Sequence, residues 1–352
     1  MTSGTDQNTQ GVSKELVEDI NYQIREASAL SSEAKAQWQS YQQGLQLEEK
    51  ESSNIWGLIF LAIAVSALSF SAIFTRLSEN YMGVNAIVLN RCLFSTLAVF
   101  GWQAIAHSVR PSENVKPEKN CFTLSDLGLF MGLGAGFILC SILWAWSLSQ
   151  TTVANSNLLH NATPLFTVLG AWLFLRERFN SQYLFGIAIA IGGSLLIGLQ
   201  DLHLSLNSLI GDLAALLSAA FYALQYLLTE QLGKKFDTAT ILIGMTGIGT
   251  ILLIPVVLLT GESIFPSSAM GWVWIGCIVL ISQLLGQGLL ARSLKQFSST
   301  FIAMIMLLEP FFTAIFAYLI FSEQLSLMNW IGFFWVLGGI YVVKLAGQTA
   351  KV

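Results

Sequence analysis

The chain has 352 residues, 54% hydrophobic and 11% charged, where a soluble domain carries about 25% charged residues. Its net charge is −4, and residues 1–54, with nine acidic and four basic groups, account for −5, leaving +1 for the rest. This excludes an ordinary soluble enzyme and a basic nucleic-acid-binding surface, and no nucleic-acid partner is expected.

In chain order, residues 1–13 are polar and without periodicity. Residues 14–47 then place Val17, Ile20, Ile24, Ala27, Ser31, Ala34, Trp38, Tyr41 and Leu45 at alternating steps of three and four. That spacing predicts an amphipathic heptad helix. It reads either as a coiled coil for self-association or as a helix resting on the membrane face or on the protein. The first long apolar run starts only at Ile55, so no cleavable signal peptide is expected.

From Ile55 the chain alternates apolar runs of about 20 residues, the length that crosses a bilayer, with short polar breaks. The runs are 55–76, 83–106, 125–149, 152–175, 181–199, 208–230, 238–260, 270–292, 298–321 and 327–345. The expected fold is an all-α multi-pass membrane protein of ten transmembrane helices. It divides into residues 1–54, 55–199 and 208–345.

Lys and Arg stay on the cytoplasmic side of membranes. With the N-terminus inside, fifteen of them fall in cytoplasmic segments and Arg76 alone in an outer loop, while Arg91 lies within a span. Both termini are therefore expected in the cytoplasm. With five helices per half, the halves must run in opposite directions.

The halves also share a motif. At a constant offset of 146, Pro164 meets Pro310, Glu177 meets Glu323, Gly186 meets Gly332, and Gly192-Gly193 meets Gly338-Gly339. Nine of the 34 positions from the proline onward are identical. Such internal symmetry marks transporters built from repeats. The twice-occurring Pro, Glu, Gly, Gly-Gly pattern resembles the EamA family of the drug/metabolite transporter superfamily. The resemblance implies two inverted five-helix repeats and a transporter of small metabolites, with efflux the expected direction.

Polar groups in hydrocarbon are costly and mark candidate sites. The fourth span carries Asn157, His160, Asn161 and Pro164. Pro164 is expected to loosen the helix and free the His160 carbonyl for substrate, water or a neighbouring helix. The ninth span repeats the break, with Pro310 freeing the Met306 carbonyl and Glu309 just before it. In the sixth span Ser218, Tyr222, Gln225 and Thr229 form one helical stripe, a cavity lining or an interhelical hydrogen-bonding face. Gln283 and Gln287 in the eighth span carry the same two readings, and Trp144 in the third reads either as a ring that stacks on a substrate or as part of an interfacial aromatic belt. Arg91 and Glu309 are the charges at depth and read as a mutual pair, a substrate anchor or a proton-coupling site. Glu177 and Glu323 read as caps of the following helices. Gly128, Gly132 and Gly136 read as a close-packing face within the chain.

The substrate candidates are thus Asn157, His160, Asn161, Tyr222, Gln225, Gln283, Gln287 and Trp144, with a small organic solute and the bilayer as partners. No cofactor or metal is expected. Cys92, Cys121, Cys140 and Cys277 lack CxxC spacing and read as packed thiols. Of the three histidines, His107 and His203 are placed in loops and His160 at depth, no HExxH is present and no Asp lies mid-span, so a membrane metalloenzyme is not suggested. No Walker A sequence is present, so ATP is not the direct energy source. The alternatives are a nucleotide-sugar or sugar-phosphate exchanger of the same superfamily, an intramembrane enzyme, and a scaffold acting through its N-terminal helix. The expected location is the bacterial plasma membrane.

Overall fold

The computed structural model describes residues 55–71, 73–109, 122–150, 156, 159–198, 209–321 and 327–346. The heptad segment, Asn157, Cys121, His203 and Glu323 lie outside these residues.

A chain this apolar must satisfy its backbone internally, which in hydrocarbon favours helices. We number them α1 (Ile55–Ser78), α2 (Val84–Val109), α3 (Leu124–Gln150), α4 (Thr163–Leu175), α5 (Ser181–Gly198), α6 (Leu209–Gly233) and α7 (Thr238–Thr260). The helix α8 joins Ala269–Cys277, a π-helical stretch Ile278–Gln287 and Gly288–Ser293. Next, α9 joins Ser299–Ile305, a 3₁₀ turn Met306–Leu308 and Glu309–Phe321. Last comes α10 (Leu327–Leu345). Among the described residues, α1, α2, α3, α6, α7 and α8 are long and apolar enough to cross a membrane, and α4, α5, α9 and α10 contribute shorter apolar helices. His107, expected in a loop, is in the last turn of α2.

Helices in lipid associate through packing and hydrogen bonds, because lipid tails are as apolar as leucine. Close approach therefore decides the architecture, and α5 against α10 shows it best. A Cβ on Gly186 would fall 3.0 Å from the Gly339 carbonyl oxygen, and one on Gly193 would fall 2.7 Å from that of Gly332. Low numbers in α5 meet high numbers in α10, so the two helices run antiparallel. The offset of 146 converts one contact into the other. That reciprocity is the mark of a two-fold relation, here between two halves of one chain. Other helix pairs obey it too. Exchanging α1–α5 for α6–α10 maps the α2–α8 contact onto α7–α3, and the α4–α6 contact onto α9–α1.

The largest core cluster packs Cys92, Leu133, Phe137, Ile138, Leu253 and Ile278 from α2, α3, α7 and α8. Of the expected glycine face, Gly132 and Gly136 do approach α6, at Leu228 and at Leu224 and Phe221, but a Cβ on Gly128 would meet nothing within 4 Å.

Polar groups tie the two ends of the bundle. At one end the Glu262 carboxylate accepts from Asn85 Nδ2 (2.6 Å) and from the Ala86 N–H (2.9 Å), capping α2 from another repeat. Gly83 permits this, since a Cβ there would collide with the Glu262 side chain. At the other end Lys235 pairs with Asp126, and Glu230 accepts from the Ser299 N–H (2.8 Å). The α5 cap is Asn180, whose Oδ1 accepts from the Tyr183 N–H (2.7 Å). Glu177, expected in that role, is instead 1% exposed behind a left-handed Arg176 (φ 55°).

Candidate functional site

The two proline breaks act differently from the expected kinks. Residues 161–162 form a turn, and Pro164 sits in the first turn of a new helix, where its missing N–H is tolerated. The His160 carbonyl is not left for a substrate: Thr163 Oγ1 donates to it (2.7 Å). At the second break the Glu309 N–H donates to the Met306 carbonyl within the 3₁₀ turn. Each freed acceptor is thus satisfied locally, as a dry interior requires. The breaks set side-chain positions rather than open backbone carbonyls.

At the first break, His160 Nδ1 hydrogen-bonds Ser218 Oγ of α6 (2.8 Å). Its ring stacks on Tyr222, centroids 5.2 Å apart, and Trp144 of α3 stands 6.3 Å from it. Tyr226 follows Tyr222 at 4.6 Å. Trp144, His160, Tyr222 and Tyr226 thereby share one aromatic wall.

At the second break, the Glu309 carbonyl accepts from Ser69 Oγ (3.1 Å), and Thr313 Oγ1 donates to the Ser69 carbonyl (3.2 Å), fixing α9 on α1. The Glu309 carboxylate has no hydrogen bond or ion pair among the described residues, although the charges of Arg91 and Glu309 and the hydroxyls of Tyr222 and Tyr226 interact electrostatically. Arg91 donates from Nε to Gln283 Oε1 and from Nη1 to Ser71 Oγ (3.3 Å), and lies 5.6 Å from the Phe137 ring centroid. A direct Arg91–Glu309 ion pair, one of the readings open from sequence, does not form.

Gln225 Nε2 donates to Gln287 Oε1 (3.3 Å). These two and Thr229, Tyr226, Met245 and Leu290 line a pocket with space for about one water molecule. Asn161 lies in the turn before α4.

This arrangement, two helical halves with broken helices facing one another, has known relatives. A family model for EamA-like transporters matches residues 55–199 and 209–345. The chain belongs to the EamA-like transporter family. It is a multi-pass integral membrane protein. Among similar proteins are an uncharacterized transporter of Archaeoglobus fulgidus, 24% identical over 56% of this chain and 68% of the relative, and the pseudopaline exporter CntI of Pseudomonas aeruginosa, 25% identical over 60% and 69%. A solved structure covering 83% of this chain and 98% of its own shares the fold, with TM-score 0.69 at 15% identity.

In this EamA chain the sequence reading missed Ser71 and Phe137, which hold the Arg91 guanidinium, and Ser69, which holds the Glu309 backbone. Ser69 and Ser71 carried a signal, since both are polar within a long apolar run. The π-helical stretch that carries Gln283 and Gln287 carried none, because i→i+5 bonding leaves no residue pattern to read.

Proposed function

We propose that the protein is a secondary transporter that exports a small organic solute by alternating access. It would use ten membrane-spanning helices in two inverted repeats, in a bacterial plasma membrane with both termini cytoplasmic. The observation that carries this reading is the unpaired state of Arg91 and Glu309. Two opposite charges within electrostatic range, on helices of different repeats, ordinarily close on each other in a low dielectric. Among the described residues neither charge is neutralised by a contact, as in a site that receives polar solute groups.

His160, Tyr222 and Trp144 would form the wall against which an apolar part of the solute packs. Glu309 would receive a solute ammonium or a coupling proton. The relative named as an exporter supports the outward direction. A sugar-phosphate exchanger is a poorer fit, since a phosphate dianion calls for more than the single guanidinium at this depth.

The test is a thermal-shift screen of the purified protein against amines, carboxylates, zwitterions and sugar phosphates. A solute at a hundredfold its Kd stabilises the folded state by about 2.7 kcal/mol. An ammonium-bearing solute should raise Tm in the native protein and not in Tyr222→Ala, and should then move across proteoliposomes. Stabilisation by sugar phosphates alone would transfer the reading to the exchanger. Binding without flux would refute transport.

A further inference from the structure

We propose that Gln283 is a positioning residue that aims the Arg91 guanidinium at an anionic group of the solute while leaving its charge uncompensated. This rests on the proposed reading of the region between the repeats, where Arg91 and Glu309 lie, as the solute site.

Among the described residues, every direct partner of Arg91 is neutral. Gln283 Oε1 accepts from Nε, Ser71 Oγ accepts from Nη1, and Phe137 lies beneath the guanidinium. A guanidinium has five N–H donors in a planar fork. The two hydrogen bonds orient the plane from α1 and α8, and leave the other donors for a ligand. A carboxylate at position 283 would orient equally well but would pair the charge. An amide orients without neutralising.

Gln283 also offers a donor of its own. It is 0% exposed, and with Oε1 taken by Arg91, its Nε2 has no hydrogen-bond partner among the described residues. A buried amide donor is normally satisfied. An orphan donor on the residue that already binds the guanidinium provides a second hydrogen bond for the same anion, and binding would remove the penalty of leaving it unmade. Gln283 sits within the π-helical stretch of α8, a geometry frequent at functional sites. Its neighbour Gln287 is engaged differently, by Gln225. One cation and one amide suit a single carboxylate.

The experiment uses the full chain in detergent micelles with ¹⁵N-labelled arginine, the Arg91 Nε–H being assigned through Arg91→Lys. In the native protein this proton should exchange slowly with water. Gln283→Leu should speed its exchange about tenfold or more, the loss of one hydrogen bond to a charged group, while Gln287→Leu should leave it unchanged. Sodium butyrate, titrated as the probe anion, should shift the native resonance, and Gln283→Glu should weaken that response about tenfold or more while keeping the slow exchange. Equal exchange in native and Gln283→Leu proteins would overturn the positioning role. No response of the native resonance to butyrate would overturn the anion site. If both effects appear but no solute is transported, the transporter reading fails and this one stands. Normal transport with a loosely held Arg91 would do the reverse.

Discussion

Glu309 shows how one residue acquires its surroundings from a helix break. Pro310 cannot continue the hydrogen-bond ladder of α9, so the chain tightens into a 3₁₀ turn and the Glu309 N–H takes the Met306 carbonyl. Ser69 then pins the Glu309 carbonyl from α1. The backbone is thus held at both of its polar groups, and the carboxylate is left without a contact partner. A carboxyl so placed can bind a solute ammonium or exchange a proton as the cavity opens to water. Glu309→Gln keeps the size and the hydrogen-bonding capacity but cannot titrate. If Glu309 couples transport to protons, the variant should lose accumulation driven by a pH gradient in proteoliposomes and retain solute exchange at equal pH. If it binds the ammonium, exchange itself should fall, by about tenfold or more for a lost charge-assisted bond. Unaltered gradient-driven transport would remove Glu309 from the site.

At the scale of elements, the doubled glycines explain why the repeat motif exists. In each Gly-Gly pair the second residue is pressed against the backbone of the partner helix and the first is not. A Cβ on Gly339 would sit 2.5 Å from the Ala190 nitrogen and 2.6 Å from the Gly186 oxygen, and on Gly193 2.7 Å from the Gly332 oxygen, all backbone atoms that cannot swing away. On Gly338 it would meet nothing within 4 Å, and on Gly192 only the Trp335 ring at 3.9 Å. Gly339→Ala and Gly193→Ala should therefore destabilise by about 1–3 kcal/mol, the usual effect of overpacking. Gly338→Ala and Gly192→Ala should be neutral, or stabilising by up to about 1 kcal/mol from helix propensity. Thermal unfolding in one detergent checks all four, and equal shifts within each pair would refute the packing account. The glycine register was legible in the sequence because close helix approach leaves a residue signature at a fixed spacing. The apolar runs were legible because bilayer thickness dictates a length. The fate of the carbonyls behind Pro164 and Pro310 was not, since Thr163 and the 3₁₀ turn satisfy them through geometry that residue identity does not announce. Nor were the partnerships of Arg91, His160 and Gln225, which join helices far apart in sequence.

For the whole molecule, the structure adds to the charge argument for orientation. α4 and α6 run parallel, since His160 meets Ser218 and Gly170 meets Leu227, so Arg176 and Arg178 lie at the end of the bundle that carries Lys234 and Lys235. Asn180 Nδ2 donates to the Ala346 carbonyl (3.1 Å), which brings Lys344 to the same end. Gly233 lies against Lys295, which adds Lys295 and Arg292. At the opposite end, Ser267 bonds the Tyr81 carbonyl (3.1 Å) and Glu262 caps α2. Among the described Lys and Arg residues outside the bundle's middle, that end holds Arg76 alone. Seven basic residues gathered from three separate connections and the end of α10 form one positive face, which the positive-inside rule assigns to the cytoplasm in the orientation we propose. Single cysteines in place of Glu262, Asp201 and Ser326 should therefore react with an impermeant maleimide from outside intact cells. Cysteines in place of Lys234 and Lys295 should react only after the membrane is opened. Four of the five sites lie within residues 208–345 and Asp201 lies between the halves, so they test the orientation of the second half. Lys234 and Glu262, at opposite ends of α7, are the decisive pair: labelling of both from the same side would contradict a membrane-spanning α7, and labelling of Lys234 alone from outside would turn the whole bundle over.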